Sequence, residues 1–271
     1  MLLLDKCWVS MGCCIQNPTS LRTVIKTVDI HAHVLPLVDD GADDFGEALE
    51  MLEIAEKNGT SHIVLTPHHL TDEDRSKGLS KSQLEEKFIE FKKAALGNGC
   101  GISLYFGAEV HVTKDVSASI ENSEFITINN TKYVLLEFDF SEEPERAFEI
   151  TGKVMDAGYL PIIAHPERYK FVKANPGSIV PFVQKGAILQ INASSILGEN
   201  GPVSQETAST LINSELASII ASDSHSAFYR SPDLSEAYAF ISSIFSKKAS
   251  ELLFFENPRL VLEGEPTKTV R

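Results

Sequence analysis

The sequence has few cysteines, and they are not placed to crosslink a core. Only four of the 271 residues are cysteines; Cys7, Cys13 and Cys14 crowd the N-terminus, whereas Cys100 stands alone. A disulfide framework in a chain of this length ties distant core elements together. We therefore expect no such framework and a reducing, cytoplasmic setting.

The sequence also lacks long apolar runs and is short of basic side chains. No apolar run approaches the roughly 18 to 20 residues that span a bilayer, so we expect a soluble chain without a transmembrane segment. Residues 1–27 lack the segments of a secretory signal. The chain has 24 basic and 38 acidic side chains and a formal net charge of −14. This balance argues against a broad basic face and against bulk binding of nucleic acid.

From residue 28 onward, short apolar segments alternate with amphipathic ones. The apolar segments predict seven β-strands, each with a polar residue at or next to its C-terminal end: Val28–His33, His62–His68, Ile102–Glu109, Tyr133–Phe138, Leu160–His165, Ala187–Asn192 and Ser218–His225. The segments between them have helical spacing: Phe45–Asn58, Ser82–Leu96, Ala147–Ala157, Gly177–Lys185 and Glu206–Glu215, with packing helices in Leu234–Leu262.

This alternation of strands and helices predicts an α/β fold with a parallel sheet and helices outside it. An open sheet gathers ligands at one switch point, whereas here every strand carries a polar C-terminal end. Such an arrangement favours a closed or nearly closed β/α ring. We predict a single domain over residues 28–271, preceded by a poorly ordered N-terminal extension, residues 1–27.

The polar strand ends form a candidate metal site. His31 and His33 are two apart on the first strand, so they face the same side and can reach one ion. The remaining candidates come from the other strand ends and from the Asp39-Asp40-Gly41 loop: Asp40, His68, Glu109, Glu137, His165, Asp223 and His225. Charges buried this densely are costly unless they are paired or bound to metal.

The number and type of these side chains indicate which metals fit. Nine candidate ligands are too many for one tetrahedral ion, so we expect two or three divalent ions. Mixed imidazole and carboxylate ligands suit Mn, Zn or Fe better than Ca or Mg. The other three histidines, His62, His69 and His111, are interpreted as structural.

The motifs resemble a known superfamily in their order and over most of the chain, from about residue 28 to residue 262. They are Asp29-Ile-His-Ala-His33, Asp39-Asp40-Gly41, Thr66-Pro-His68, Gly107-Ala-Glu109, Leu136-Glu137-Phe138, Ala164-His-Pro-Glu-Arg-Tyr169, Gln190-Ile-Asn192 and Ala221-Ser-Asp-Ser-His225. The chain thereby resembles the PHP (polymerase and histidinol phosphatase) superfamily. Within it, the likeness is to the manganese-dependent bacterial protein-tyrosine phosphatases of the CpsB/YwqE type, found in capsule and exopolysaccharide operons.

The resemblance implies a distorted seven-stranded, TIM-like β/α barrel, the PHP barrel, and a set of site roles. It implies a first metal ion, expected to be Mn²⁺ with Fe or Zn as alternatives, held by His31, His33, Glu109 and Asp223. A second would be bound by Glu109, Glu137 and His165, and a third by Asp40, His68 and His225. Arg168 and Arg230 would bind phosphate, which suits the fork geometry of guanidinium.

The implied activity is hydrolysis of phosphotyrosine by a metal-activated hydroxide, on the tail of a bacterial tyrosine autokinase. The residues six positions after the cysteines are Cys13, Thr19, Ser20 and Phe106, so the Cys-to-Arg spacing of cysteine-dependent tyrosine phosphatases is absent. Three alternatives stay open: a small-molecule phosphatase of the histidinol-phosphatase kind, a PHP exonuclease, which the acidity disfavours, and a non-catalytic metal-binding module that docks a kinase. A homo-oligomer also stays open.

Overall fold

The structure, a computed structural model, describes residues 25–71, 78–112 and 116–269. Of the extension expected over residues 1–27, residues 1–24 lie outside the described residues, and Thr27 belongs to the first strand. All paired strands within the described ranges run parallel. The strands are β1 Thr27–Ala32, β2 Thr60–Leu65, β3 His68–His69, β4 Ser103–Phe106, β5 Glu109–His111, β6 Tyr133–Glu137, β7 Leu160–Ala164, β8 Ile188–Asn192 and β9 Ala217–Ala221.

These strands form seven consecutive runs, because two predicted strands are interrupted. The second run is β2 then β3, broken at Thr66-Pro67, and the third is β4 then β5, broken at Gly107-Ala108. Proline has no amide hydrogen to donate to a ladder, which accounts for the first break. Across the breaks the backbone still pairs, since the Gly107 amide donates to the Leu65 carbonyl at 3.1 Å.

The runs close into a ring. Hydrogen bonding gives one sheet in the order β1-β2-β4 and another in the order β3-β5-β6-β7-β8-β9. The chain joins them at the two breaks, and the last run returns to the first: the Asp223 amide donates to the His31 carbonyl and the His33 amide to the Ser224 carbonyl, each at 2.8 Å. The predicted distorted seven-stranded barrel is confirmed.

Helices follow the strands, as the alternation predicts. They are α1 Phe45–Lys57, α2 Lys81–Gly97, α3 Val116–Glu121, α4 Pro144–Asp156, α5 Lys170–Ala174, α6 Val180–Lys185, α7 Ala193–Leu197, α8 Pro202–Asn213, α9 Ser235–Ile244, α10 Lys247–Glu251 and α11 Asn257–Glu263. The prediction of one helix over Gly177–Lys185 was wrong, because a 3₁₀ turn, Pro176–Ile179, precedes α6. Pro181 cannot donate to the Gly177 carbonyl, so an α-helix cannot continue from there.

Local sequence explains the helix before the site. The Asp44 side chain accepts from the Glu47 amide at 2.9 Å and caps the start of α1. The helix then buries Ala48, Met51, Leu52 and Ala55, which recur at intervals of three and four.

The buried apolar side chains form two clusters. The larger joins strands to the surrounding helices. The smaller joins residues of five strands, among them Val28 and Leu135, to Val261 and Leu262 of α11. The predicted packing of the C-terminal segment as helices is thereby confirmed. Among the described residues, no helix combines the length and apolarity that a membrane crossing needs.

Candidate metal centre

The parallel strands bring the predicted polar side chains together at one end of the ring. The cavity there has a volume of about 340 Å³. It is lined by Asp40, His68, Glu109, Glu137, Phe140, His165, Arg168, Asp223, His225 and Arg230. His31 and His33, which are fully buried, lie beside them. All nine candidate ligands and both arginines of the sequence prediction thus meet in one place.

The first group consists of His31, His33, Glu109 and Asp223, whose ligand atoms all lie within 4.8 Å of one another. His31 Nε2 is 3.2 Å from His33 Nε2, 3.4 Å from Glu109 Oε2 and 3.3 Å from Asp223 Oδ1. Two imidazole nitrogens and two carboxylate oxygens converge in a buried space, which is the donor set that a divalent transition metal requires. The residues therefore fit such an ion.

Hydrogen bonds on the far side of each ring fix which histidine nitrogen faces this group. His33 Nδ1 lies 2.7 Å from Asp39 Oδ2, and His31 Nδ1 lies 2.8 Å from Gln190 Oε1. Both partners accept hydrogen bonds, so Nδ1 carries the proton and Nε2 presents a lone pair. The prediction had named Asp39 only as a carboxylate near the mouth and had given Gln190 no role.

The side chains of Gln190 and Asn192 link His31 to Asp223. Gln190 Nε2 donates to Asn192 Oδ1 at 2.9 Å, and Asn192 Nδ2 donates to Asp223 Oδ2 at 2.6 Å. Both side-chain amides are fully buried. The backbone amide of Asn192 donates a hydrogen bond to Oε1 of buried Glu167 at 3.1 Å. Because each amide uses its oxygen toward one side and its nitrogen toward the other, the order of donors along this Gln190–Asn192 relay is fixed.

The second group consists of His33, Asp40, His68 and His225. Asp40 Oδ1 lies 3.3 Å from His68 Nε2 and 3.4 Å from His225 Nε2. Asp40 is about half exposed, whereas His68 is 2% exposed. The prediction had placed Asp40, His68 and His225 together, and His33 is the addition.

The third group consists of His68, Glu109 and Glu137. Glu109 Oε2 is 3.0 Å from His68 Nδ1, while its Oε1 is 2.9 Å from His165 Nε2. Glu109 therefore reaches the first group and His165 with different oxygens, the geometry of a bridging carboxylate. Nδ1 of His165 is a buried nitrogen with no hydrogen-bond partner among the described residues.

His111, interpreted from the sequence as structural, also reaches this neighbourhood. Its Nδ1 lies 3.1 Å from Glu137 Oε2. His111 and Glu109 are two apart on β5, and residues two apart on a strand face the same side. The spacing that drew attention to His31 and His33 was thus present here as well.

The carboxylates and imidazoles at the centre strongly perturb one another. Burial alone would lower the pKa of His31, but Glu109 and Asp223 outweigh it and raise that pKa. Burial would likewise lower the pKa of His68, but the Glu109 carboxylate outweighs it and raises that pKa to about 9. Burial would raise the pKa of Glu109, yet His31 and His68 hold it well below its usual range. Histidine must be neutral to bind a metal, so metal binding here would release protons.

Two arginines complete the cavity, and both contact Asp223. Arg168 Nη1 is 3.4 Å from Asp223 Oδ2, and Arg230 Nη2 contacts the same oxygen. The Arg168 guanidinium also lies over the Phe140 ring, 4.5 Å from its centroid. Burial would raise the pKa of Asp223, but His31, His33 and Arg230 hold it well below the ordinary value.

Three side chains at the mouth are set by an unusual backbone conformation. His165, Asp223 and Arg230 have φ values of 31°, 52° and 54°, in the left-handed region that non-glycine residues rarely adopt. Such strain is concentrated at sites where the surrounding structure imposes it for function. All three side chains line the cavity.

Comparison with known proteins gives relatives over nearly the whole described chain. Residues 27–263 match the family described as "Capsular polysaccharide synthesis, CpsB/CapC". CapC of Staphylococcus aureus is 38% identical over 199 residues, which cover 73% of this chain and 77% of that protein. Tyrosine-protein phosphatase YwqE of Bacillus subtilis strain 168 is 30% identical over 241 residues, 88% of this chain and 92% of that protein.

Solved structures agree with these relatives. A chain from the crystal structures of YwqE of Bacillus subtilis and CpsB of Streptococcus pneumoniae, described as unique metal-dependent tyrosine phosphatases, has a TM-score of 0.83 at 29% identity. That match covers 90% of this chain and 97% of the other. The phosphotriesterase homology protein of Escherichia coli, with a TM-score of 0.55 and 12% identity, shares the fold alone. The chain belongs to the CpsB/CapC family of capsular polysaccharide synthesis proteins.

Proposed function

We propose that this chain is a metal-dependent protein-tyrosine phosphatase, a phosphoric monoester hydrolase that acts in capsule or exopolysaccharide synthesis. The observation that carries the proposal is the convergence of three groups of imidazole and carboxylate side chains, two of which share Glu109, beside two arginines in one open cavity. The relatives named as tyrosine-protein phosphatases support the same reading.

The proposed metal ligands are the nine side chains named from the sequence, and the proposed cofactors are two or three divalent ions, with Mn²⁺ first and Fe or Zn as alternatives. The mixed nitrogen and oxygen donors support this choice. When bound, such ions lower the pKa of water and neutralise phosphate charge. Asp39 and Gln190 keep the histidine rings in the tautomer that can bind them.

Arg168 and Arg230 are proposed to bind the phosphate. Both line the cavity and have further donors beyond those that face Asp223. A guanidinium matches two phosphate oxygens at once and stabilises the charge that spreads over them during transfer. The leaving tyrosine phenol has a pKa of about 10, so the reaction needs a general acid less than serine ester hydrolysis does.

The proposed substrate is the phosphotyrosine tail of a bacterial tyrosine autokinase, and the proposed location is the cytoplasm. Residues 28–271 are proposed to act as one metallophosphatase domain. The family described for residues 27–263 supports the capsule context. An open cavity supports a polypeptide tail as the substrate.

The deciding assay uses protein stripped with a chelator and refilled with Mn²⁺. Its hydrolysis of a phosphotyrosine peptide, histidinol phosphate and an oligonucleotide is compared. We expect the peptide to be preferred. Preference for histidinol phosphate or the oligonucleotide would overturn the proposed substrate class, and no turnover of any of them would favour a docking module.

Metal content separates the proposed ligand roles from the phosphate roles. His31→Ala and Asp223→Ala should lose both metal and activity. Arg168→Ala should keep its metal and lose phosphate affinity. Arg146→Ala serves as a control because Arg146, on α4, pairs with Glu142, which precedes that helix. Full metal occupancy in the His31 and Asp223 variants, measured by elemental analysis, would contradict the assignment of the first ion.

A further inference from the structure

We propose that the turn Ser226–Tyr229, here called the aromatic turn, binds apolar side chains next to the phosphotyrosine of a polypeptide substrate. The proposal rests on the proposed phosphatase function and adds a substrate preference to it. Its starting point is exposure: Phe228 is 77% exposed and Tyr229 is 83% exposed, the highest values among the large hydrophobic side chains of the described residues.

The aromatic turn has a defined structure. Ser226 Oγ accepts from the amides of Phe228 at 3.2 Å and Tyr229 at 2.8 Å, and it donates to the Tyr229 carbonyl at 2.9 Å. The Ala227 amide donates to Glu47 Oε1 at 3.3 Å, which ties the turn to α1. The two aromatic rings are therefore held outward by a hydrogen-bonded backbone.

Both ends of the aromatic turn are site residues. The His225 amide donates to the Arg230 carbonyl at 3.0 Å and closes the loop at its base. His225 and Arg230 line the cavity, while the apex between them carries the two rings. Tyr229 directly precedes Arg230, and consecutive Cα atoms are about 3.8 Å apart. A chain that leaves the phosphate site therefore meets the rings within a residue or two.

The cavity size together with the exposed rings at its rim favours a polypeptide as the occupant. About 340 Å³ holds a phosphotyrosine side chain, so the residues that flank it must lie on the rim. A small phosphate ester would end inside the cavity and leave the rings in water. Exposed aromatic side chains beside a polar site are typical of protein-binding surfaces, because each buries a large apolar area at little entropic cost.

Side-chain truncation tests this role without disturbing the turn, since the hydrogen bonds of the turn use only backbone atoms of Phe228 and Tyr229. The double variant Phe228→Ser, Tyr229→Ser is compared with wild type on p-nitrophenyl phosphate and two phosphotyrosine peptides. The peptides differ only in having leucine or serine on each side of the phosphotyrosine. The matched control is Ile89→Ser, Leu96→Ser on α2, where the side chains are 61% and 60% exposed.

We expect wild type to prefer the leucine peptide by about tenfold in kcat/KM, as a good apolar contact provides. The double variant should lose that preference through KM and keep its rate on p-nitrophenyl phosphate, while the control variant behaves as wild type. Phe228→Leu with Tyr229 retained should keep most of the preference.

Three results would overturn the proposal. The first is that wild type shows no preference for the leucine peptide, and the second is that the double variant keeps that preference. The third is that the double variant loses hydrolysis of p-nitrophenyl phosphate to the same degree as hydrolysis of the leucine peptide, which would make the turn a support for Arg230. Failure of wild type to hydrolyse any phosphotyrosine substrate would instead refute the proposed function, and with it the proposed role of the aromatic turn.

Discussion

Replacing Gly41 by alanine tests how the Asp39-Asp40 loop is held against the site. A Cβ at Gly41 would lie 2.6 Å from His33 Cβ and 2.9 Å from its carbonyl carbon, and closer still to its carbonyl oxygen. Real Cβ atoms essentially never approach so closely, and these neighbours belong to a fully buried residue. The loop must therefore move away from His33.

The expected cost follows from what that movement weakens. Overpacking a well-packed region costs typically about 1–3 kcal/mol. At roughly 2–4 °C per kcal/mol for a domain approaching this size, the melting temperature of metal-free Gly41→Ala should fall by roughly 2 to 12 °C. The loop carries Asp39, which holds His33 Nδ1, and Asp40, which contacts His68. Manganese affinity should fall as well.

Thermal unfolding and calorimetric Mn²⁺ binding measure the two effects. Gly97→Ala is the matched control, because a Cβ at that position, the last residue of α2, meets nothing within 4 Å. That change should leave metal binding unaltered and stabilise the chain by up to about 1 kcal/mol. Wild-type stability and wild-type Mn²⁺ affinity in Gly41→Ala would refute the argument that this close approach positions the loop.

Three further predictions follow from the site. Gln190→Leu should weaken Mn²⁺ binding by about 10- to 100-fold, as loss of a ligand's hydrogen-bond partner does. The control in the same titration is Gln205→Leu, which removes a hydrogen bond to the Ile196 carbonyl. Mn²⁺ at about 100 times its Kd should stabilise the protein by about 2.7 kcal/mol; melting curves should show this for wild type, and an equal gain in His31→Ala would contradict the ligand assignment. Burial raises the pKa of Asp29 from 3.8 to about 6, so ionisation of this carboxyl opposes folding. In chemical unfolding, the stability of wild type relative to Asp29→Asn should therefore fall by about 3 kcal/mol as pH rises from 3.8 to above 6. A stability difference that does not change with pH would refute this.

The sequence predicted the ring and the site for one shared reason. Parallel strands place their C-terminal ends on one side, so polar residues at those ends must meet. The Glu109 and Glu137 positions needed no knowledge of distant contacts, only the end of an apolar run. The same rule applied to residues two apart would have drawn in His111, which contacts Glu137.

Local patterns could not predict the hydrogen bonds behind the ligands. The partner of His31 Nδ1 is Gln190, which is 159 positions away, whereas the partner of His33 Nδ1 is Asp39, six positions away. Period and composition carry no information on which nitrogen of an imidazole faces the site. That choice depends on the register between β1 and β8 across the ring, which only the folded chain fixes. The helix break at Pro181, by contrast, was readable in advance from the missing amide hydrogen.

Asp223 connects the proposed metal ligands with the two arginines of the cavity. Its Oδ1 faces His31 and His33, at 3.3 and 3.5 Å, and its Oδ2 is approached by Asn192, Arg168 and Arg230. A phosphate that draws the arginines toward itself removes two cationic partners from Oδ2 and leaves the amide of Asn192 there. On the proposed function, we expect the Gln190–Asn192 relay to matter more once substrate binds, because it would keep the carboxylate oriented toward the first group when the arginines turn to the phosphate.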